Sequence, residues 1–261
     1  MNFRAMLSVI LLTVAVACSV KEQRQDCPCR MSLDFSALDT AVIKEVNVLA
    51  VSADGIVLKD FVTAREFDSE YVKEVPHGML GVNVWSGDTG GGGEDHLVHI
   101  PYGVQCPPVY LVGFQADTRG ETYCCQVNLY KNYCRLTVEM PERIQLPRSL
   151  VFKGDVDGYE IGGEPSEGKF SCVAYPSEKG LYQVLIPRQS NSSLLLEVDD
   201  MTPHMKLFAI GEYLSASGYD WTADDLADVT VVLDYSLTSL KIKIAGTKLF
   251  HNFIILKESE E

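Results

Sequence analysis

Short apolar runs that alternate with polar residues, separated by turn residues, make up most of this chain. In residues 46–51 the alternate residues Val46, Val48 and Ala50 form one apolar face. Asp54-Gly55 separates this run from a second apolar run at residues 56–61. Two such runs split by Asp-Gly predict a β-hairpin. In residues 240–244 the two lysines lie on one face and the aliphatic side chains on the other, as expected of a half-buried strand.

Helix signals are few, and the strand runs do not alternate with long helical patterns, so a parallel βαβ sheet is excluded. Thr222 to Asp225 resembles a capping box before a short helical turn, and residues 155–158 predict a turn. Pro141 and Pro147 bracket a break between two strand-rich halves. We therefore predict an all-β protein with antiparallel β-sandwich domains at residues 27–145 and 146–261. Further strand runs are predicted at 79–85, 96–100, 109–114, 123–130, 134–140, 150–152, 170–175, 182–186, 194–198, 206–214, 229–235 and 253–256.

The amino terminus has the pattern of a bacterial lipoprotein signal. Arg4 precedes an apolar run of 12 residues (6–17) that ends in small side chains, and Cys18 follows directly. We expect residues 1–17 to be removed, Cys18 to carry lipid and residues 18–26 to form a polar tether. The apolar run is shorter than the roughly 20 residues that a spanning helix needs. The mature chain is therefore expected to be anchored to a membrane through lipid without crossing it.

Charge narrows the classes of partner. The formal net charge is −14, and loss of Arg4 with the signal makes it −15. A surface this acidic disfavours nucleic acid and anionic lipid, because both are bound by neutralising phosphates with Lys and Arg. The acyl chains on Cys18 are then the expected membrane contact.

Eight cysteines in an exported chain suggest disulfides. With Cys18 assigned to lipid, seven remain, so at least one is free or bonded to another molecule. Cys27 and Cys29 are too closely spaced for a zinc site, and so are Cys124 and Cys125. The pairing is not determined by the sequence. A bridge from Cys27 or Cys29 to Cys134 would tie the first predicted strand of the first domain to its last.

No motif predicts catalysis, a cofactor or a metal. The glycine run at 90–93 is followed by Glu94-Asp95 rather than Lys, which indicates a hairpin tip and not a phosphate loop. His96 and His99 lie in an extended run, where their rings point to opposite faces. Hydrolase signatures are lacking. A lipid-anchored hydrolase would need convergent acidic residues, which the sequence alone does not reveal, so we expect a protein that is not an enzyme.

The lipoprotein cysteine, Cys18, is followed by five segments in a recognisable order: residues 27–33, 78–87, 134–138, 225–235 and 240–244. Their order and spacing resemble those of the fimbrial anchor-subunit family of Bacteroidales type V pili. The resemblance implies two transthyretin-like β-sandwiches in an outer-membrane lipoprotein, exposed at the cell surface, that holds the base of a fimbria and limits its length. It also implies pilin subunits as partners, through strand addition. Cys18, as the lipidated residue, is the only functional residue that the resemblance identifies. The family pattern lacks Cys106, Cys124, Cys125 and Cys172.

A different class remains open, a surface lipoprotein that captures glycans or nutrients without catalysis. It would need an exposed aromatic platform, for which Tyr123, Tyr130 and Tyr133 are candidates. Asp39-Thr40-Ala41 also matches the short O-glycosylation pattern of exported proteins in this bacterial group. Thr40 is therefore an expected glycosylation site.

Overall fold

The structure is a computed structural model that describes residues 27–87, 96–142, 145–202, 206–236, 239–246 and 251–254. The signal segment with Cys18 and the glycine run at 90–93 lie outside these ranges. The strands from the first half are β1 (Cys29–Asp34), β2 (Glu45–Ser52), β3 (Gly55–Thr63), β4 (Tyr71–Val75), β5 (Met79–Ser86), β6 (His96–His99), β7 (Tyr110–Asp117), β8 (Thr122–Gln126) and β9 (Tyr130–Lys131). The later elements are β10 (Tyr133–Glu139), β11 (Ser149–Glu160), β12 (Pro165–Ala174), β13 (Tyr182–Pro187), β14 (Leu195–Asp199), β15 (Lys206–Phe208), helix α1 (Ile210–Ala216), β16 (Val229–Asp234), β17 (Ser239–Ile244) and β18 (His251–Ile254).

A first β-sandwich encloses the core that we call the first core. A three-stranded sheet, ordered β4-β1-β8, faces a five-stranded sheet, ordered β3-β2-β5-β7-β9. Cys29, Met31 and Leu33 point inward from β1, and the residues between them are more exposed. Strands β2 and β3 pair antiparallel across Gly55, whose φ of +124° suits glycine. The predicted hairpin is therefore confirmed.

A second β-sandwich encloses the second core. The sheet β13-β10-β16-β17-β18 faces the sheet β12-β11-β14-β15, and β6 also pairs with β11. In β17 the aliphatic side chains are buried and Lys241 and Lys243 are exposed, as the alternation predicts. With one short helix among the described residues, the prediction of an all-β protein with two β-sandwiches is confirmed.

Along the chain, strands begin to join the second sandwich before the predicted boundary near Pro141 and Pro147. β10, expected as the last strand of the first domain, pairs with β13 and β16 in the second sandwich. β6 also joins the second sandwich, although its neighbours along the chain, β5 and β7, belong to the first. The apolar residues of β6 and the alternation in β10 predict burial but not the sheet that provides it.

Two local predictions are wrong. Residues 155–158 do not turn but lie inside β11, where the register with β12 shifts in a bulge near Gly154 and Gly158. The capping-box signal at Thr222 does not start a helix, because Asp220 Oδ1 accepts hydrogen bonds from the backbone N–H and hydroxyl of Thr222. The helix is instead α1, which overlaps the end of the run predicted as a strand over residues 206–214.

The two sandwiches pack together through the outer face of the five-stranded sheet of the first. Leu49, Trp85 and Leu111 project from this face and belong to the second core. Beside them Gly162, in the β11–β12 turn, donates its N–H to Asn83 Oδ1 at 2.9 Å. A Cβ atom at Gly113 would lie 2.9 Å from the Gly162 carbonyl carbon. Glycine at 113 thus allows direct contact between the two backbones.

Candidate interaction site

The described chain begins beside the central strand of the three-stranded sheet. Cys27 is exposed, and two residues later β1 starts between β4 on one side and β8 on the other. The His77 ring lies between two backbone carbonyls, that of Cys27 and that of Arg119, with its Nδ1 3.0 Å from the latter. Within the described residues, no helix has the length and apolar character needed to cross a bilayer. Lipid on Cys18 remains a prediction.

A groove of about 320 Å³ lies between two edge strands, β3 of one sheet and β4 of the facing sheet. Its lining includes Phe61 and Asp60 from β3 and Tyr71 and Lys73 from β4. Phe61 is 49% exposed, and Ile56, which is on β3 but does not line the groove, is 56% exposed. We call this feature the β3–β4 groove. β3 is an edge strand with no strand partner on this side in the described sheet, and the N–H groups of Phe61 and Thr63 there donate to the carboxylates of Asp60 and Glu66, each at 2.9 Å.

Asp60 is a charged residue on the inward face of β3, opposite Val48 of β2. Lys73 Nζ lies 2.7 Å from its carboxylate, and the Tyr71 hydroxyl donates to it at 3.1 Å. The ion pair with Lys73 is the largest influence and lowers the pKa of Asp60. Burial, together with the nearby Asp60 charge, raises the pKa of Tyr71. Asp60, Tyr71 and Lys73 are thus engaged with one another. Glu66, Ser69 and Glu70 also line the groove, so its lining is mainly polar, with Phe61 as its exposed apolar side chain.

A second concave site of about 540 Å³ lies where the two sandwiches meet, and we call it the junction cavity. Its lining includes Tyr130, Trp221 and Arg188. The Arg188 guanidinium donates through Nε to Asn132 Oδ1 at 2.9 Å. Its remaining described hydrogen bonds go to the backbone carbonyls of residues 221, 223 and 224, the last at 3.0 Å. The buried Tyr159 hydroxyl donates to the Asn132 carbonyl and accepts from the Arg188 N–H at 3.0 Å. These bonds hold the 221–224 loop against the domain junction.

The three tyrosines proposed as a glycan platform are not brought together on an open surface. Tyr133 is 5% exposed and packs edge-to-face on Tyr110 with ring centroids 5.7 Å apart. Tyr123 packs against the first core, whereas Tyr130 lines the junction cavity. The alternation that places a tyrosine in a strand does not say whether another sheet covers it, so from the sequence alone these tyrosines were only candidates.

This structure contains no disulfide among the seven cysteines that it describes. Cys29 is buried in the first core and Cys134 in the second, so the expected bridge between them is not formed. The reason is that β10, which carries Cys134, belongs to the second sandwich. Cys27 is exposed beside β1.

Thr40 lies in the loop between β1 and β2, where its side chain is exposed. The Asp39 carboxylate accepts the N–H of Ala41 at 2.8 Å and shapes the turn around Thr40. The position is accessible to a modifying enzyme, and glycosylation there stays a prediction.

Across the described ranges, no three His, Cys, Asp or Glu side chains are grouped as a metal site would require.

Sequence reasoning missed the residues that shape both concave sites. A signal existed for Asp60, because a charge at an inward-facing strand position is typical of protected edge strands. Nothing comparable marked Arg188 or Tyr159, whose hydrogen bonds join segments far apart in the chain. Long-range contacts of this kind leave no local pattern.

Several solved structures of Bacteroidales proteins share this fold. A Bacteroides thetaiotaomicron protein whose name suggests polysaccharide binding matches at a TM-score of 0.62 and 10% identity, covering 89% of this chain and 100% of that one. The fimbrial anchor protein Mfa2 from Porphyromonas gingivalis matches at 0.58 and 12% identity, covering 85% and 98%. A Bacteroides ovatus protein provisionally named an adhesin matches at 0.58 and 14% identity, covering 87% and 95%. At these identities the likeness establishes the fold, and it agrees with the family resemblance in the sequence. No protein-family profile and no curated protein matches the chain.

Proposed function

We propose that this chain is an outer-membrane lipoprotein that anchors the base of a fimbria and limits its length. The observation that carries the proposal is the conjunction of a lipoprotein signal ending at Cys18 with a two-sandwich fold like that of a fimbrial anchor protein. Residues 1–17 are removed on export, lipid on Cys18 inserts into the outer membrane, and residues 18–26 form the tether. More than one acyl chain makes such an anchor lasting, because a single chain binds membranes only marginally.

The β3–β4 groove is the surface that we assign to the pilin subunit. An added strand would pair along the outer edge of β3, where it would replace the carboxylates of Asp60 and Glu66 as acceptors for the N–H groups of Phe61 and Thr63. Ile56 and Phe61 would lie against alternate side chains of the partner. The inward Asp60 discourages unselective pairing along this edge, as charged residues do in protected edge strands. Its pairing with Lys73 leaves the charge neutralised in the free protein.

The anchor is tested by Cys18→Ala, with Cys27→Ala as the matched control because Cys27 is also an exposed cysteine near the amino terminus. We expect Cys18→Ala to leave the outer-membrane fraction and to shed fimbriae into the medium, whereas Cys27→Ala retains both. If the Cys18→Ala chain still sediments with the outer membrane, the lipid assignment is refuted. If it leaves the membrane while fimbriae stay cell-bound, the fimbrial role is refuted.

The groove is tested separately by Phe61→Asp in the lipidated chain. Placing a charge in an apolar strand contact should reduce co-purification of pilin at least tenfold, about 1.4 kcal/mol, without releasing the chain from the membrane. Tyr175→Asp is the control, since Tyr175 is 67% exposed and lies in the second sandwich. Equal pilin recovery from both variants would refute the assignment of this groove.

A second candidate function is capture of a glycan or other small nutrient, and the junction cavity favours it. The cavity of about 540 Å³ has aromatic and polar lining residues, including Tyr130 and Arg188, as small-molecule sites usually do. The polysaccharide-related name of one structural neighbour points the same way. Calorimetric titration with oligosaccharides tests this function. Binding that Tyr130→Ala abolishes would support it, and the absence of binding by the intact chain would exclude it for those sugars.

A further inference from the structure

Two cysteines outside the expected bridge are buried together in the second core. Cys106 and Cys172 are 0% and 1% exposed. Cys172 lies on β12, and Cys106 lies in the segment between β6 and β7 that leads the chain from the second sandwich back to the first. We call residues 100–109 the crossing segment.

The backbone holds the crossing segment against the strand that carries Cys172. Gly103 forms an isolated β-bridge with Cys172, and its N–H donates to the Ser171 carbonyl at 2.8 Å. Three residues further on, the Cys106 N–H donates to the Leu185 carbonyl of β13 at 3.1 Å. The crossing segment is thus held by backbone bonds at Gly103 and at Cys106 itself. Its thiol and that of Cys172 point into one core from adjacent backbone segments.

The electrostatics of the thiols agree with this proximity. Burial raises the pKa of Cys106 well above its ordinary value, and the neighbouring Cys172 thiol adds to that rise. Burial also raises the pKa of Cys172, to about 12. Both thiols are therefore protonated in the reduced folded protein and slow to react there.

We propose that Cys106 and Cys172 form a disulfide that fastens the crossing segment to β12. The proposal rests on the proposed export, because disulfides persist in oxidising compartments. One thiolate attacks a disulfide oxidant and releases its first thiol, and the second thiolate then attacks the mixed disulfide and releases the other. The protein loses two protons and two electrons, and the oxidant becomes two thiols. Since the folded thiols ionise little, the bond forms during folding, before the core closes.

The test uses the full-length chain unfolded with reductant and refolded with oxidised and reduced glutathione. Alkylation in denaturant and digestion without reductant should yield a Cys106–Cys172 cross-linked peptide, while Cys134 is alkylated. Reduction should lower the thermal midpoint by roughly 10 °C, and Cys106→Ala/Cys172→Ala should abolish this shift. Cys134→Ala is the matched control, because Cys134 is a buried thiol of the same core and its replacement should leave the shift intact.

Both thiols alkylated after oxidative refolding, or either one bridged to another cysteine, would overturn the pairing. Refolding in glutathione does not depend on where the chain resides in the cell, so this result stands apart from the anchor proposal. A second sample is purified from cell envelopes with alkylation at lysis, and it should carry the same cross-link. Failure there alone would refute the bridge as a feature of the native chain, even if Cys18 proves to be lipidated.

Discussion

Replacing Gly113 by alanine should loosen the junction between the two sandwiches. The new Cβ would lie 2.9 Å from the Gly162 carbonyl carbon, closer still to its oxygen, and 3.2 Å from Asn83 Oδ1. These neighbours are backbone or already hydrogen-bonded, so the β11–β12 turn has to move away from the sheet. Overpacking of this kind costs about 1–3 kcal/mol, and the broken hydrogen bond from Gly162 to Asn83 costs about 1 kcal/mol more. We expect a total loss of about 2–4 kcal/mol.

Gly81→Ala is the control, because Gly81 lies in β5 of the same sheet with ordinary space around it. Its added Cβ would be 3.6 Å from Gln115 Nε2 and 4.0 Å from the Val51 carbonyl oxygen. Both substitutions lower the conformational entropy of the unfolded chain by the same amount. Because Gly81→Ala adds no clash in the folded state, it should be neutral or stabilising by up to about 1 kcal/mol. Urea unfolding followed by tryptophan fluorescence measures both. Equal unfolding free energies for the two variants would refute the tight junction.

Three further variants test the hydrogen bonds and the ion pair described above. Tyr159→Phe removes the hydroxyl that bonds the Asn132 carbonyl and the Arg188 N–H, but these two groups also bond each other at 3.2 Å, so urea unfolding should show a loss of only about 1–2 kcal/mol. Arg188→Lys cannot reproduce the forked contacts to the 221–224 loop, so limited proteolysis should cut that loop faster. Lys73 lowers the pKa of Asp60, so this pair stabilises the fold above about pH 4 and its contribution fades as the pH falls further. Thermal midpoints should therefore fall less steeply with acid in Asp60→Asn than in the parent chain.

Each of these variants has a matched control in the chain. Tyr175→Phe removes a hydroxyl from a tyrosine that is 67% exposed and should leave the unfolding free energy unchanged. Arg148→Lys changes an exposed arginine and should leave the proteolysis pattern as it is. Asp54→Asn alters an exposed turn residue and should retain the acid sensitivity of the parent. Matching effects in a variant and its control would refute the contact concerned.

Local patterns predicted strands well wherever one face of the strand is buried and the other is open. The alternation in residues 240–244 matches β17, and the Asp54-Gly55 signal matches the β2–β3 hairpin. The same patterns did not identify partners, because a buried face is compatible with any sheet that covers it. That is why β6 and β10 were expected in the first sandwich although they pair in the second.

The short helix shows a different limit of the sequence. Residues 206–214 form one largely apolar run, and such a run is compatible with a strand or with a helix. The chain resolves the ambiguity by packing, since Ile210, Gly211 and Leu214 are buried on one side of α1. Gly211 is needed because a Cβ there would meet the Ser192 backbone, 2.7 Å from its carbonyl carbon. That contact joins α1 to the loop between β13 and β14 and leaves no local sequence pattern.

An anchor must carry load from the membrane to the filament, and the position of β1 suits that task. The expected lipid tether leads into β1, which is hydrogen-bonded to β4 on one side and β8 on the other. A pulling force on the tether therefore acts on the hydrogen bonds of both strand pairs at once, whereas an edge strand would be held by one pair alone. β4 pairs with β1 and also lines the β3–β4 groove, so the strand that follows the tether is a direct neighbour of the strand at the proposed pilin contact. The second sandwich stands outside this path. Gly113→Ala should consequently destabilise the chain yet leave fimbriae attached to cells. Shedding of fimbriae by a folded Gly113→Ala chain would place the load-bearing contact in the second sandwich and refute the groove.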